Sequence, residues 1–252
     1  MEELLEKVEH YWDKRSDGYC QTNLEELDSF KREAWIDLIN EYAPKVLGRK
    51  LRVLDIGTGP GFFAILMASC GYEVSAVDYT EAMLDKARNN ASHYSNSIIF
   101  RRMDAHKLDF EDSSFDLIVT RNLTWNLEKP GEAYREWHRV LSRGGRLLNF
   151  DANWYLHLHD AQKRTEYEQD RLNSKTRGMN DHYTGTNTKL MEGIARNLPL
   201  SKEHRPEWDT KEMLAIGFRK IMVELGIGKR VWNEEEKVNY GSTPMFMIGV
   251  EK

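Results

Sequence analysis

The feature that constrains this chain most is the stretch LRVLDIGTGPGFF, residues 51–63, in which an apolar run breaks into alternating glycines and then turns apolar again. The apolar residues before the glycines predict a buried strand, and those after them predict a helix. Glycine lets the main chain adopt positive φ and lets another group come close, and backbone N–H groups at a helix start attract anions. The turn formed by Gly57, Gly59 and Gly61 therefore predicts either a ligand lying against bare backbone or, more simply, a tight turn chosen for packing.

The chain from residue 51 to residue 151 alternates between strand and helix patterns. The predicted strands are LRVLDIG, EVSAVD, SIIFRRMD, FDLIVTRN and RLLNFD. The predicted helices are GFFAILMASCG, TEAMLDKARNNA with Thr80 as its cap, and PGEAYREWHRVLSRGG. Strands that alternate with helices of this length indicate parallel crossovers in an α/β, doubly wound sheet, where ligands bind beyond the carboxyl ends of the strands.

The ends of the chain follow different patterns. Apolar residues at helical spacing predict two helices, over residues 2–12 and 24–43, before the first strand. After Asp151 the alternation stops until residue 210, where a helix, a stop at Gly217 and a strand follow. The closing TPMFMIGVEK is expected to be the second arm of an antiparallel hairpin. We expect a core formed by residues 46–151 and 210–252, and a helical insertion over residues 152–209 that acts as a lid on the mouth of the sheet.

Composition and charge disfavour several classes of protein. The 252 residues carry a formal charge of -5, which lacks the basic surplus expected when nucleic acid is the main partner. Cys20 and Cys70 fit neither a metal-binding spacing nor a disulfide framework, which favours a reducing compartment. The charged start of the chain does not resemble a signal peptide, and no stretch approaches the ~20 apolar residues of a membrane span. We expect a cytoplasmic protein with no membrane partner.

Acidic side chains stand at three successive predicted strand ends. Asp55 lies within the glycine turn, Asp78 ends the second strand and Asp104 ends the third. A carboxylate at the second position can accept hydrogen bonds from both hydroxyls of a ribose. Asp104 can accept from an exocyclic amine, although taken alone it is equally a surface acid. Together the three acids predict a nucleoside site.

These residues carry a resemblance to a known family. The motifs are VLDIGTGPG, VSAVDYTEAMLDKAR, RRMDA, FDLIVTRN and RVLSRGGRLLNFD. Together they resemble the class I S-adenosylmethionine-dependent methyltransferases, in the small-molecule branch that includes the ubiquinone and menaquinone biosynthesis enzymes. The resemblance implies a Rossmann-like, mostly parallel seven-stranded sheet with an antiparallel last strand. It also implies S-adenosylmethionine as cofactor, a small-molecule methyl acceptor and in-line displacement at the methyl group.

The resemblance also implies roles for individual residues. Gly57, Gly59 and Gly61, with Thr58 between them, would face the methionine part of the cofactor, and Asp55 would hold its amino group. Asp78 would bind the ribose, and Asp104 with Ala105 the adenine. The remaining cofactor positions that it implies are Tyr79 and Met83 beside the adenine, Arg121 and Asn122 after the fourth strand, and Tyr11, Arg15 and Tyr19 in an N-terminal helical cover over residues 1–45. For Met83 and Tyr11, ordinary helix packing is an alternative.

Substrate contacts and catalysis are less determined by the sequence. Trp125, Trp154 and Tyr155 are candidates for the wall of an acceptor pocket, although such aromatic residues also serve as packing anchors. His157, His159 and Asp151 follow the fifth strand and are candidates for a general base, which is needed only if the acceptor must lose a proton. Polar contacts within the lid are the simpler explanation for either histidine, and no bound metal is expected.

Three other functions compete with methyl transfer to a small molecule. A nicotinamide-dependent oxidoreductase shares the glycine turn and the acid, but its G-x-G-x-x-G spacing differs from glycines at 57, 59 and 61, and Phe62 stands where its last glycine would fall. A non-catalytic nucleoside-binding module remains an alternative. A nucleic-acid methyltransferase is disfavoured because TRNL replaces the Asn-Pro-Pro-aromatic loop that cradles a flipped base. The acceptor atom and the oligomeric state are not fixed by the sequence.

Overall fold

The computed structural model describes residues 3–184 and 186–252. Its strands are β1 (Arg52–Ile56), β2 (Glu73–Asp78), β3 (Ile98–Arg102), β4 (Phe115–Arg121), β5 (Leu141–Asp151), β6 (Arg219–Leu225) and β7 (Phe246–Glu251). Its α-helices are α1 (Leu4–Leu27), α2 (Lys31–Tyr42), α3 (Phe62–Ser69), α4 (Glu81–Ala91), α5 (Pro130–Val140), α6 (Ala161–Thr176), α7 (Thr188–Ala195), α8 (Glu207–Ile216), α9 (Gly228–Val231) and α10 (Glu234–Asn239).

The strands form one sheet in the order β3-β2-β1-β4-β5-β7-β6. β1 to β5 pair in parallel, whereas β7 is inserted between β5 and β6 and is antiparallel to both. The predicted α/β class, the doubly wound and mostly parallel seven-stranded sheet, and the antiparallel last strand are therefore confirmed. Because the order reverses between β1 and β4, a crevice opens at their carboxyl ends, where open α/β sheets bind ligands.

Each face of the sheet is covered by its own apolar layer. On one face Trp35 of α2 packs edge-on against Phe63 of α3 and Phe150 of β5, with ring centroids 5.0 Å apart in both pairs. On the other face Tyr134 and Trp137 of α5 are fully buried against the sheet. Strands that are buried on both faces are nearly continuous apolar runs in the sequence. These strands could therefore be predicted from the sequence.

The N-terminal region differs from the prediction. Instead of helices over 2–12 and 24–43, a single helix α1 runs from Leu4 to Leu27 and α2 follows from Lys31. The middle of α1 looked polar, but its inward positions are filled by Ser16, Cys20 and Asn23, all buried. These small and polar residues lie at helical spacing but do not produce the apolar periodicity that predicts a helix.

A second correction concerns the start of β5. The sequence predicted that the helix beginning at Pro130 would continue through RVLSRGG, but α5 ends at Val140 and the chain is extended from Leu141. Leu141 pairs with Phe115, and a register shift separates this pair from the next pair along the ladder. A Cβ on Gly145 would lie 2.9 Å from the Asp116 carbonyl oxygen, so this bulge brings two backbones closer than a side chain would permit.

Residues 152–209 carry α6, α7 and the start of α8, beyond the carboxyl ends of the strands. Met191 and Ile194 of α7 pack with Val8 and Tyr11 of α1 and with Trp125 in one apolar cluster. The insertion is thus helical and joined to the N-terminal helix, while its action as a lid stays a prediction. Within the described ranges, no helix is both long and apolar enough to cross a membrane.

Candidate functional site

The glycine turn connects β1 to α3 at the crevice. Gly57, Gly59 and Gly61 have φ values of 68°, 53° and 94°, in the region that favours glycine. The backbone N–H groups of Gly57 and Thr58 donate to the Val77 carbonyl at 2.9 and 3.0 Å, which ties the turn to β2. A Cβ at Gly57 would lie 2.8 Å from the Leu123 side chain. The turn itself therefore requires glycine at these positions, whether or not a ligand lies against them.

Asp55 lies beneath this turn and is almost fully buried. Its Oδ2 accepts from the Thr58 hydroxyl at 2.6 Å and from the Ala64 N–H at 2.9 Å. Within the described part of the chain no hydrogen bond reaches Oδ1. Burial raises the pKa of Asp55 to about 7, and the bonds from Thr58 and Ala64 only partly oppose it. Asp55 is thus a buried acid whose charged form a nearby cation would stabilise.

We expect Asp55 to make stability depend on pH. Its folded pKa is raised above the value of the unfolded chain, so the folded state binds the extra proton between about pH 4 and pH 7, and stability falls as pH rises through that window. One pKa unit corresponds to about 1.4 kcal/mol. Asp55→Asn should therefore gain at least that much over the wild type between pH 4 and pH 8, as measured by urea unfolding at both pH values. Parallel pH profiles for the two proteins would contradict this.

Asp78 ends β2 beside the turn. Its Oδ2 accepts from the Gly59 N–H at 2.8 Å, and its Oδ1 accepts from the Thr80 N–H at 2.9 Å. Burial raises the pKa of Asp78 despite these bonds. Thr80 does occupy the N-cap position of α4 but makes no capping bond through its side chain, which corrects the expected cap. Asp78 thus links the glycine turn to the start of α4 while facing the crevice.

Asp104 and its neighbours follow β3 in a fixed loop. Asp104 Oδ1 accepts from the His106 N–H at 2.9 Å and lies 2.6 Å from His106 Nδ1. His106 Nε2 accepts from the Lys129 N–H at 3.2 Å, so its other nitrogen is the one that donates to Asp104. The Ala105 carbonyl accepts from the Trp137 indole at 2.9 Å. This network fixes the loop through Asp104 Oδ1. The other carboxylate oxygen of Asp104 stays available to accept a hydrogen bond.

These elements surround one cleft with about 790 Å³ of empty space, part of it open to solvent. Predicted cofactor residues that line it are Tyr19, Gly57, Gly59, Asp78, Tyr79, Met83, Asp104, Ala105, Arg121 and Asn122. Asp55 and Thr58 instead line a smaller neighbouring cavity of about 260 Å³, which shares Tyr19, Gly57 and Arg121 with the cleft. Gly61 lies behind the turn, where a Cβ would come within 3.1 Å of the Ala87 Cβ.

Part of the lining was missed at the sequence level. Leu5, Val8, Glu9 and Trp12 of α1 form one wall of the cleft, and their spacing of three, four and seven residues is the signal that could have found them. Arg102 fixes this wall: it reaches Glu9 at 2.6 Å and the Tyr79 carbonyl at 2.8 Å. Tyr19 lies next to the glycine turn, 3.5 Å from where a Gly59 Cβ would be.

The other two predicted cover residues lie elsewhere. Tyr11 is buried in the cluster between α1 and α7, and its pKa is raised by burial and lowered in part by Arg15. Neither Tyr11 nor Arg15 belongs to the walls of the two cavities. The structure therefore brings Tyr19, but not these two, to the predicted cofactor region.

Arg121 and Asn122 end β4 between the two cavities. Arg121 Nη2 donates to Glu26 Oε2 at 2.8 Å, and its guanidinium lies 4.4 Å from the Phe62 ring centroid. Burial lowers the pKa of Arg121, but Glu26 and other acidic neighbours outweigh it and raise that pKa. Asn122 has a φ of 56°, and its buried Oδ1 has no partner within the described residues. The strained backbone of Asn122 and its unpaired buried acceptor together indicate that this residue faces a ligand.

The predicted acceptor-site residues cluster outside the cleft. Trp125 stacks at a tilt on Tyr155 with centroids 5.0 Å apart, and the Trp154 indole donates to Asp151 Oδ1 at 3.1 Å. His159 is exposed. His157 is buried and stacked on Tyr167 at 4.1 Å, and neither of its ring nitrogens has a hydrogen-bond partner among the residues described. Burial lowers the pKa of His157, with Glu192 opposing the shift.

Asp151 is fully buried and its oxygens are occupied. It accepts from the Trp125 and Ala152 N–H groups, each at 2.9 Å, and from Arg205 Nη1 at 2.7 Å. Burial raises the pKa of Asp151 while Arg205 lowers it. Arg205 also bonds Asp209 through Nε and Nη2, both at 2.8 Å. The predicted base is thus part of a closed ion-pair network, and its cation, Arg205, stands in no recognisable motif of the sequence.

No metal centre is indicated in the parts of the chain that the structure describes, where no three His, Cys, Asp or Glu side chains are grouped to hold an ion. His157 and His159 lie on a short 3-10 turn and its cap, and one is buried while the other is exposed. They therefore do not face a common point.

Comparison with known proteins finds similarity to methyltransferases over part of the chain. Residues 54–149 match the model of a methyltransferase domain. A demethylmenaquinone methyltransferase of Thermus thermophilus is 34% identical over 119 residues, which are 46% of this chain and 51% of the relative. The chain spans about half the length of such curated relatives.

Solved structures share the fold. A SAM-dependent methyltransferase from Aquifex aeolicus aligns with a TM-score of 0.55 at 18% identity, covering 89% of this chain and 91% of the other. A Haemonchus contortus phosphoethanolamine N-methyltransferase in complex with S-adenosyl-L-methionine aligns with a TM-score of 0.59 at 17% identity, covering 90% and 59%. At these identities the alignments show a common fold.

Proposed function

We propose that this protein, whose residues 54–149 match the model of a methyltransferase domain, binds S-adenosylmethionine in the cleft and transfers its methyl group to a small-molecule acceptor. The observation that carries the proposal is the convergence of Asp78, Asp104 and the turn at Gly57 and Gly59 on one cleft. These groups match the sugar, base and charged tail of the cofactor. The negative formal charge of the chain also supports a small molecule over nucleic acid.

The side chains present fit this cofactor. Asp78 would accept from the ribose hydroxyls, and Asp104 with the Ala105 backbone would hold the adenine edge. Asp55 lines the small cavity, where it would hold the ammonium of the methionine part, and the orphaned Oδ1 of Asn122 would offer a further acceptor beside the cleft. Tyr19 supplies an aromatic face at their junction, where a cation is stabilised.

The bound cofactor supplies a methyl group on a sulfonium, which already carries its leaving group. The protein's part is to align donor and acceptor and to keep water out, and positioning of this kind can contribute ~7–11 kcal/mol. α1 covers the cleft through Glu9 and Trp12. Asp151 and His157 are closed off by their surroundings, so we assign them to positioning the walls around Trp125 and Tyr155 rather than to removing a proton.

Methyl transfer is tested with cofactor labelled in the methyl group. Calorimetry should first give binding of S-adenosylmethionine, and incubation with a fractionated small-molecule extract should then move label into one fraction. Absence of cofactor binding would overturn the proposal. Binding without transfer in any fraction would favour the non-catalytic nucleoside-binding module.

Asp78→Ala should weaken cofactor binding by ~1.5–3 kcal/mol, because hydrogen bonds to a charged group are removed. This corresponds to roughly a ten- to hundredfold higher Kd by calorimetry. Asp85→Ala on the exposed side of α4 removes the same charge nearby and should leave Kd unchanged. Equal affinities for wild type and Asp78→Ala would count against the ribose assignment.

A further inference from the structure

Three polar side chains outside the cleft form a hydrogen-bonded row. The hydroxyl of Tyr240, the residue after α10, lies 3.0 Å from His182 Nδ1, and His182 Nε2 lies 2.8 Å from Glu235 Oε1. A carboxylate only accepts, so neutral His182 carries its hydrogen on Nε2 and its Nδ1 accepts from the Tyr240 hydroxyl. Within the described ranges, no other hydrogen bond reaches this hydroxyl. We call the three residues the Tyr240 relay.

The relay joins two elements that are distant in the sequence, and a buried asparagine fixes them to each other. Asn239, the last residue of α10, is 1% exposed. Its Oδ1 accepts from the His182 N–H at 3.1 Å, and its Nδ2 donates to the Asn180 carbonyl at 2.9 Å. The part of the insertion that carries His182 is therefore held on α10, and groups held in place are the arrangement that proton transfer between them requires.

The inner end of the relay lies beside the predicted wall of the acceptor site. The Tyr240 and Trp154 rings meet edge to face with centroids 5.4 Å apart, and the Trp154 indole bonds Asp151 at the end of β5. Tyr19 and Glu26 of α1 are near enough for their charges to act on Tyr240, and Tyr19 borders both cavities at the glycine turn. Tyr240 therefore has one neighbour in the cofactor region and another in the acceptor wall.

The outer end of the relay is open to water. The side chains of His182 and Glu235 are 27% and 32% exposed, whereas Tyr240 is half-buried. The bond from His182 lowers the pKa of Glu235, which favours its charged form, and a carboxylate there balances the charge of an imidazolium. A proton that reaches His182 can therefore pass on to solvent.

Tyr240 keeps its own proton in the resting protein. Burial raises its pKa, and so do the neighbours that carry negative charge when ionised, namely Glu236, Tyr19 and Glu26. Arg171 of α6 acts in the opposite direction. A tyrosine that retains its proton is a weak base by itself. It can take up another proton only if it passes its own to His182 in the same step.

We propose that Tyr240 removes a proton from the methyl acceptor and that His182 and Glu235 position it and balance the charge. This inference rests on the proposed function. As the acceptor atom bonds the methyl carbon, the bond from that carbon to sulfur breaks and its electron pair stays on sulfur. The acceptor proton moves to the Tyr240 oxygen and the Tyr240 proton moves to His182 Nδ1. The acceptor thus belongs to the class whose reacting atom loses a hydrogen, a hydroxyl or an N–H amine.

Nitrogen-15 NMR of the full chain with labelled histidine tests the relay without any acceptor. We expect His182 to carry its hydrogen on Nε2 alone at neutral pH, and its Nδ1 signal to shift in Tyr240→Phe. His182→Gln assigns the signals. Tyr42→Phe is the matched control, because it removes a hydroxyl that bonds Glu224 at 2.7 Å, and it should leave the His182 signals unchanged. A hydrogen on Nδ1, or an Nδ1 signal indifferent to Tyr240→Phe, would overturn the relay.

Transfer of labelled methyl to the extract fraction that accepts it tests the catalytic role. Tyr240→Phe should lower kcat at least a hundredfold, since general bases contribute about 10²–10⁴, and should leave the Kd for S-adenosylmethionine unchanged. Glu235→Gln should lower kcat by less, and Tyr42→Phe should alter neither quantity. Circular dichroism verifies that each variant is folded. Transfer by Tyr240→Phe at the wild-type rate would overturn the role of Tyr240 while methyl transfer itself stands.

The product tests the class of acceptor. With carbon-13 in the methyl group of the cofactor, the chemical shift of the product methyl distinguishes attachment to oxygen from attachment to nitrogen. Either attachment, at an atom that carried hydrogen before the reaction, agrees with the relay. A methyl group on a thioether sulfur or on a tertiary amine would overturn it, because no proton is then lost. Failure of the wild type to bind S-adenosylmethionine would instead overturn the proposed function.

Discussion

Arg205→Met is expected to lower the free energy of unfolding by about 3–5 kcal/mol, because it leaves buried carboxylates without their cation. Arg205 is fully buried and bonds both Asp151 and Asp209. Methionine fills much of the same volume but supplies no charge, so both acids must either stay charged in a dry environment or take up protons. Urea unfolding at pH 7 measures the loss.

The same variant should be partly rescued at low pH, because Asp151, whose pKa burial raises, no longer needs a cation once it is protonated. Arg135→Met serves as the control: this arginine pairs with Glu212 while 59% exposed, and a pair of that kind contributes about 0–1 kcal/mol. If Arg205→Met cost no more than the control, the network around Asp151 would not hold the walls of the acceptor region as we infer.

Glu26→Leu is expected to have a similarly large effect at the other end of the cleft. Glu26 bonds Arg121 at 2.8 Å and Lys31 at 3.3 Å, and all three side chains are nearly buried. Burial raises the pKa of Glu26, but the two cations outweigh it and hold that pKa below its ordinary value. Removing this carboxylate leaves two buried cations, of which Lys31 retains Glu236 at 2.6 Å.

We therefore expect a loss of about 3–5 kcal/mol for Glu26→Leu, with weaker cofactor binding because α1 loses its bond to the end of β4. Urea unfolding and calorimetry measure the two effects. Asp17→Ala is the control on the same helix, where an exposed carboxylate 2.5 Å from Lys86 should contribute little. Unfolding at the same urea concentration for both variants would refute the buried network as a source of stability.

The parts of this fold that the sequence predicted are those encoded locally. Buried parallel strands are apolar runs, and the turn at Gly57 requires glycine for backbone reasons alone, so both are visible in a few consecutive residues. Asp78 and Asp104 could be placed because the carboxyl ends of parallel strands meet at one edge of a sheet.

The parts that were missed depend on distant partners or on polar residues in buried positions. α1 was divided in two because Ser16, Cys20 and Asn23 fill its inner face. Asp151 resembled a free acid at a strand end, but its cation lies 54 positions later in the chain. Such pairings have no signature in a single sequence, and neither does the packing of Tyr11 against α7.

The bond between Arg205 and Asp151 fastens the insertion near both of its ends to the tip of a single strand. A segment whose two ends are held together loses little conformational entropy when its interior lengthens or shortens, since loop closure depends only weakly on length. The part of the insertion between these ends that does not pack against α1 can therefore change in length without strain on the sheet.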